Sequence, residues 1–138
     1  DRYTGEFLDG EQNGTGTFTW KGGAVYEGSW KNNLQNGKGK YTWANGDIYD
    51  GEWKDGKMDG AGIMRQADGV KFKGSFEAGL KEGYGILEDS DGIRYEGTFR
   101  EGQKDGEFVE KDRNGNLIRK VKYVNGLVES VSELTSAQ

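Results

Sequence analysis

The sequence predicts an all-β fold, an elongated single-layer antiparallel sheet of tandem 23-residue β-hairpins. Three observations carry this. Aromatic residues recur at a fixed period: Tyr3, Tyr26, Tyr49, Phe72 and Tyr95 stand 23 residues apart, and Phe7, Trp30, Trp53, Phe76 and Phe99 follow each of them by four. Glycines recur on the same grid, at two, seven, eleven, thirteen and twenty residues after the first ring, and 23 of the 25 glycines fall on it. Within each unit, rings and polar residues alternate with period two, as in a strand with one buried face. Self-similarity on this scale marks a repeat array.

The third unit shows how each element arises. In Tyr49-Asp50-Gly51-Glu52-Trp53-Lys54, the rings and the glycine point one way and the charges point to water. The glycine between two rings leaves room for a ring to lie down over the backbone. Asp55-Gly56 is a turn signal. Residues 60–66 then form a second strand, and Ala67-Asp68-Gly69 turns into the next unit. Five such hairpins, starting at residues 3, 26, 49, 72 and 95, give about ten strands and a sheet on the order of 50 Å long.

The second strands differ along the chain. Phe18, Trp20, Tyr41 and Trp43 extend the ring-lined face in the first two repeats. Met64 and Leu87 keep one inner position in the next two, but Gln66 and Asp89 replace the second ring. Ile63, Ile86 and Val109, with Tyr84 near them, fall on the other parity and predict an apolar stripe on the polar face, a candidate self-association surface. Repeat five departs from the pattern, with Phe108 where glycine is expected. Residues 117–128 are expected to form a degenerate half-repeat closing an array that spans 1–128. In the remaining tail, 129–138, the spacing of Val131 and Leu134 after Leu127 and Val128 admits a short capping helix at 129–135.

Composition narrows the function. Hydrophobic content is 32%, yet four Trp, seven Tyr and six Phe supply large buried areas, so a thin, ring-rich core is expected. There is no cysteine and no histidine, which removes disulfides, thiolate sites and the commonest general base and metal ligand. The net charge of −5 disfavours nucleic acid and anionic lipid as partners. No apolar run reaches the roughly 20 residues of a membrane-spanning helix. The chain begins at Asp1, two residues before a repeat, and is taken as a fragment or processed product. Absence of cysteine fits a cytoplasmic location.

No residue constellation points to chemistry. Gly37-Lys38-Gly39-Lys40 lacks the longer phosphate-loop pattern and a following helix. Asp89-Ser90-Asp91-Gly92 resembles half a calcium loop, but Arg100 stands where the closing glutamate belongs. Asn13-Gly14-Thr15 is a glycosylation sequon that coincides with a repeat turn. The carboxylates fall on the alternating outer face or in turns. Catalytic, cofactor-binding and metal-binding residues are therefore all assigned as none.

The pattern Y-x-G-x-W-x-x-G-x-x-x-G-x-G, best kept in YEGSWKNNLQNGKGKYTWANG and YDGEWKDGKMDGAG, resembles the MORN repeat (membrane occupation and recognition nexus) over residues 3–115. The resemblance implies a non-catalytic module that binds a partner helix or peptide in a groove lined by Trp20, Tyr26, Trp30, Trp43, Tyr49, Trp53, Phe72, Phe76, Tyr95 and Phe99, often with self-association as a homodimer. It also implies possible association with the cytoskeleton or a membrane. Lipid binding gave the family its name. The lysines that would serve it here, Lys21, Lys31, Lys38 and Lys40, are interspersed with acids, so a membrane-surface role or a role as accessory domain of a larger enzyme stands as the alternative.

Overall fold

The computed structural model describes residues 1–133. It is one twelve-stranded antiparallel sheet in which every strand pairs with its neighbours in sequence. The strands form six hairpins: β1 Arg2–Leu8 with β2 Glu11–Thr19, β3 Val25–Lys31 with β4 Leu34–Thr42, and β5 Ile48–Lys54 with β6 Lys57–Arg65. Next come β7 Lys71–Glu77 with β8 Leu80–Glu88, β9 Arg94–Arg100 with β10 Gln103–Lys111, and β11 Leu117–Val124 with β12 Leu127–Glu133.

Two expectations change at the C-terminal end. The half-repeat is a full sixth hairpin, which makes twelve strands rather than ten. The segment expected as a capping helix from residue 129 is strand through Glu133, and the rest of that expectation lies outside the described residues. The reason is the free edge of β11, whose unpaired amides and carbonyls a strand satisfies and a helix cannot. Val131 accordingly pairs with Val121, and Ser132 with Lys120.

Tight turns join the two strands of each hairpin. Both central residues have positive φ at Asp9-Gly10, Asn32-Asn33, Asp55-Gly56, Ala78-Gly79, Glu101-Gly102 and Asn125-Gly126. This is the type I′ geometry, whose twist matches that of the strands it joins. The turns also stitch successive repeats together. Gly56 N donates to Gln35 O at 2.9 Å and Gly79 N to Met58 O at 2.9 Å. Beside them, Asp55 N donates to Asn36 Oδ1 and Ala78 N to Asp59 Oδ2, each at 3.2 Å.

Inside each hairpin the ladder is interrupted once, as between Gly28 and Trp30 in β3. The displaced strand turns on Gly37, with φ of +100°. Amides freed by this irregularity find side chains in two repeats: Thr15 N donates to Glu6 Oε1 at 2.8 Å, and Ala61 N to Glu52 Oε2 at 2.7 Å.

The core lies on one face of the sheet. Tyr26 lies flat over Gly39, where any Cβ would strike its ring, while a Cβ at Gly28 would strike the facing backbone of Gly39. Its hydroxyl donates to Ser29 O at 2.9 Å, and Tyr49 repeats this with Glu52 O at 3.0 Å. Trp30 and Trp53 donate their indole N–H to Gly16 O and Gly39 O, each at 3.0 Å. The rings then meet edge to face in one zigzag, Trp30–Tyr26–Trp53–Tyr49–Phe76–Phe72–Phe99–Phe108–Tyr123, with centroids 5.0–5.4 Å apart. Such pairs add about 0.5–1.5 kcal/mol each beyond burial. The chain of rings runs the length of the array, and it gives a single-layer sheet its hydrophobic core.

Candidate partner-binding groove

The ring-lined face separates into a buried set and an accessible one. Tyr26, Tyr49 and Phe72 are fully covered, and Trp30, Trp53, Phe76 and Phe99 are 3–7% exposed. These first-strand rings shield one another. Trp20, Trp43 and Tyr95 are only half-buried, as are Phe18 and Tyr41. The ten residues expected to line the groove are thus on one face, but they occupy two depths: seven form its floor, while Trp20, Trp43 and Tyr95 stand higher.

The accessible rings make a continuous strip. Phe18 and Trp20 lie 4.4 Å apart between centroids, Trp20 and Tyr41 5.3 Å, and Tyr41 and Trp43 4.6 Å. Between this strip and the hairpin turns lies an open cavity of about 400 Å³, lined by Trp20, Gln35, Tyr41, Trp43, Trp53 and Met58 among others. Its second wall is formed by Gln35 opposite Trp30 and Met58 opposite Trp53; beyond the cavity the same row continues with Lys81 opposite Phe76 and Lys104 opposite Phe99. The alternation of rings and polar residues along each strand does not disclose this row. The turn at Asp55-Gly56 was its signal, because a two-residue turn places the residues on either side in register and so sets Met58 facing Trp53.

Toward the C-terminal end the groove becomes polar. Asp89, in place of a ring, accepts from the amides of Asp91 at 2.9 Å and Ile93 at 3.0 Å and from the Tyr95 hydroxyl at 3.0 Å. Burial and this hydrogen bond to Asp89 push the Tyr95 hydroxyl up to about 12. Glu110 is 6% exposed and held by Arg119, with Nε to Oε1 at 2.8 Å. Lys104 Nζ sits 4.4 Å from the centre of the Tyr95 ring and 5.0 Å from that of Tyr123, and Lys81 Nζ lies 5.2 Å from Phe72. Loss of water around these ammonium groups lowers the pKa of both.

The opposite face carries the predicted stripe in altered form. One row crosses the sheet as Glu27, Lys40, Asp50, Ile63, Lys73, Ile86, Glu96, Val109 and Lys120. Ile63, Ile86 and Val109 do align, but Lys73 and Glu96 separate them, and all three are half-buried. Tyr84 is 60% exposed beside them. An open trough of about 580 Å³ on this face reaches Ile63, Ala61 and Lys73. At one side of it, residues of opposite charge pair between β4 and β5, Lys38 with Glu52 and Lys40 with Asp50. Among the described residues no group of three acidic, cysteine or histidine side chains is placed to hold a metal ion.

A sheet of this kind, in which each hairpin is one copy of a ring-and-glycine unit and packs only on its neighbours, defines a β-hairpin repeat protein. The model of the MORN repeat matches five times in tandem, at residues 3–25, 26–48, 49–71, 72–94 and 95–116, and the chain belongs to that family. The family is a non-enzymatic repeat, commonly one that binds proteins or membranes. No curated protein matches the chain.

Proposed function

We propose that this array is a protein–protein interaction scaffold that holds a helix or peptide of its partner in the groove between the Trp20–Tyr41–Trp43 strip and the Gln35–Met58 wall. The observation that carries this reading is the half-exposure of two tryptophans and a tyrosine next to a ring chain that is otherwise buried. Large apolar rings in a concave site are the usual anchors of protein recognition. Trp20 and Trp43 take no part in the edge-to-face zigzag of core rings, so their removal is expected to leave the sheet folded. A comparison of proteins retained by the wild type and by the Trp20→Ala/Trp43→Ala variant tests it, followed by titration with any partner so found. Equal retention by both would end this reading.

Self-pairing through Ile63, Tyr84, Ile86 and Val109 is the second element of the proposal, supported by the exposed Tyr84 beside three half-buried aliphatic residues that alternate with Lys73 and Glu96 along one row. Light scattering on the Ile86→Lys variant tests it: a fall from dimer to monomer supports the surface, and an unchanged mass removes it. A membrane-surface role draws no support from Lys38 and Lys40, because each faces a carboxylate residue across the sheet.

A further inference from the structure

The walls of the groove change chemistry along the array while their spacing stays constant. Equivalent residues of successive repeats are two strands apart, which is about 9.6 Å. One wall of the cavity presents Trp20 and then Trp43, one repeat apart, and the other presents Met58; Lys81 and Lys104 hold the position equivalent to Met58 in the next two repeats, where the ring face continues. A ligand laid across the strands must offer like side chains at the same interval. A polyproline II segment does so, since it rises about 3.1 Å per residue and returns to the same face every third residue, after about 9.3 Å. A β-strand returns after about 6.7 Å. An α-helix comes nearest at seven residues, about 10.5 Å, and drifts out of step by nearly 1 Å per repeat. Aromatic-lined grooves are also the surfaces on which the stiff polyproline helix docks at low entropic cost.

Charge defines the other end of the ligand. The carboxylates near the groove are engaged: Asp89 accepts from Tyr95 and two amides, and Glu110 is held by Arg119. Lys81 and Lys104 face rings, and among the described residues neither forms an ion pair, the Glu110 carboxylate acting on Lys104 only at longer range. Two half-buried ammonium groups one repeat apart match two carboxylates one polyproline turn apart.

We propose that the groove recognises a proline-rich segment in the polyproline II conformation, with prolines packed on Trp20 and Trp43 and acidic residues three apart reaching Lys81 and Lys104. The proposal rests on the reading above that this groove takes a partner segment.

Calorimetric titration tests it with three synthetic probes: a proline-rich peptide with two glutamates three residues apart toward one end, the same peptide with glutamines, and an amphipathic α-helical peptide of equal charge. The proline-rich acidic peptide is expected to bind, and to lose about tenfold or more in affinity on Trp20→Ala/Trp43→Ala. Lys81→Gln/Lys104→Gln is expected to weaken the acidic peptide to the level of its glutamine form, and added salt to do the same. Circular dichroism confirms that each variant keeps its sheet. Binding of the helical peptide alone, sensitive to the tryptophans, would overturn the polyproline inference and leave the scaffold reading standing. Binding of no probe by the folded wild type would overturn both.

Discussion

Phe108 lies against Gly97, so closely that a Cβ on that glycine would stand 2.7 Å from its ring. It fills the place that Phe72 fills over Gly74 and Gly85 one repeat earlier. The ring over the backbone therefore comes from the second strand in repeat five, not the first. Tyr95, relieved of that position, turns its hydroxyl to Asp89. A residue that breaks the repeat pattern in sequence thus keeps the pattern in space, and the zigzag of rings passes through Phe108 to Tyr123.

Phe108 is fully buried, and Phe108→Ala should cost about 3–5 kcal/mol, as for other core phenylalanines. The loss should fall on the last two hairpins, because each repeat is held only by its neighbours. Hydrogen exchange resolved by residue checks this: protection in β9 to β12 should drop while β3 to β6 keep theirs.

What was legible in the sequence was whatever the period repeats. The ring and glycine columns disclosed the hairpin, its buried face and its turns, because backbone sterics demand those residue types at each copy. What escaped were features made by register and by single substitutions. Phe108 looked like decay of the pattern, since position alone does not say which strand supplies the ring. Met58, Lys81 and Lys104 were overlooked because their facing of Trp53, Phe76 and Phe99 follows from turn geometry and not from alternation along a strand. The Glu110–Arg119 pair joins two hairpins and leaves no periodic trace.

Two turns contain residues ill suited to their backbone. Ala78 and Glu101 have φ of +49° and +50°, where the equivalent turns use Asp or Asn. A left-handed conformation costs an ordinary L-residue about 1–2 kcal/mol and asparagine less. Ala78→Asn and Glu101→Asn should each stabilise the protein, by about 0.5–1 kcal/mol. Both keep the amide that donates to the preceding repeat, at Asp59 and Glu82. Thermal denaturation of the single and double variants measures the gain, and additive increments are expected from turns one repeat apart.

Alkaline pH should loosen the core in a defined window. Burial pushes the Tyr49 hydroxyl up to about 12 and raises Tyr26 further. The unfolded chain loses these protons near pH 10, while the folded chain retains them. Between pH 10 and 12 the native state therefore binds more protons, and stability falls as pH rises. Below pH 10 the contribution is complete. Tyr49→Phe should lose about 1 kcal/mol at neutral pH through its bond to Glu52 O, yet show a shallower decline above pH 10. Denaturation midpoints followed from pH 8 to 12 in both proteins distinguish the two effects.

Trp53 and Trp43 offer the sharpest contrast. Trp53 is 7% exposed, touches Tyr26 and Tyr49 edge to face, and donates its indole N–H to Gly39 O. Trp53→Ala opens a cavity in the ring chain and leaves that carbonyl without its partner, a loss of about 3–5 kcal/mol. Against a total stability of about 5–15 kcal/mol, this should unfold the middle hairpins at moderate temperature. Trp43 stands above the same floor, half-buried, and its ring contact is with Tyr41 alone. Trp43→Ala should cost about 1–2 kcal/mol and leave the sheet intact. Far-ultraviolet circular dichroism of the two variants on heating separates them: a midpoint for Trp43→Ala as low as that for Trp53→Ala would mean that the accessible strip is core as well, with no surface left over for a partner.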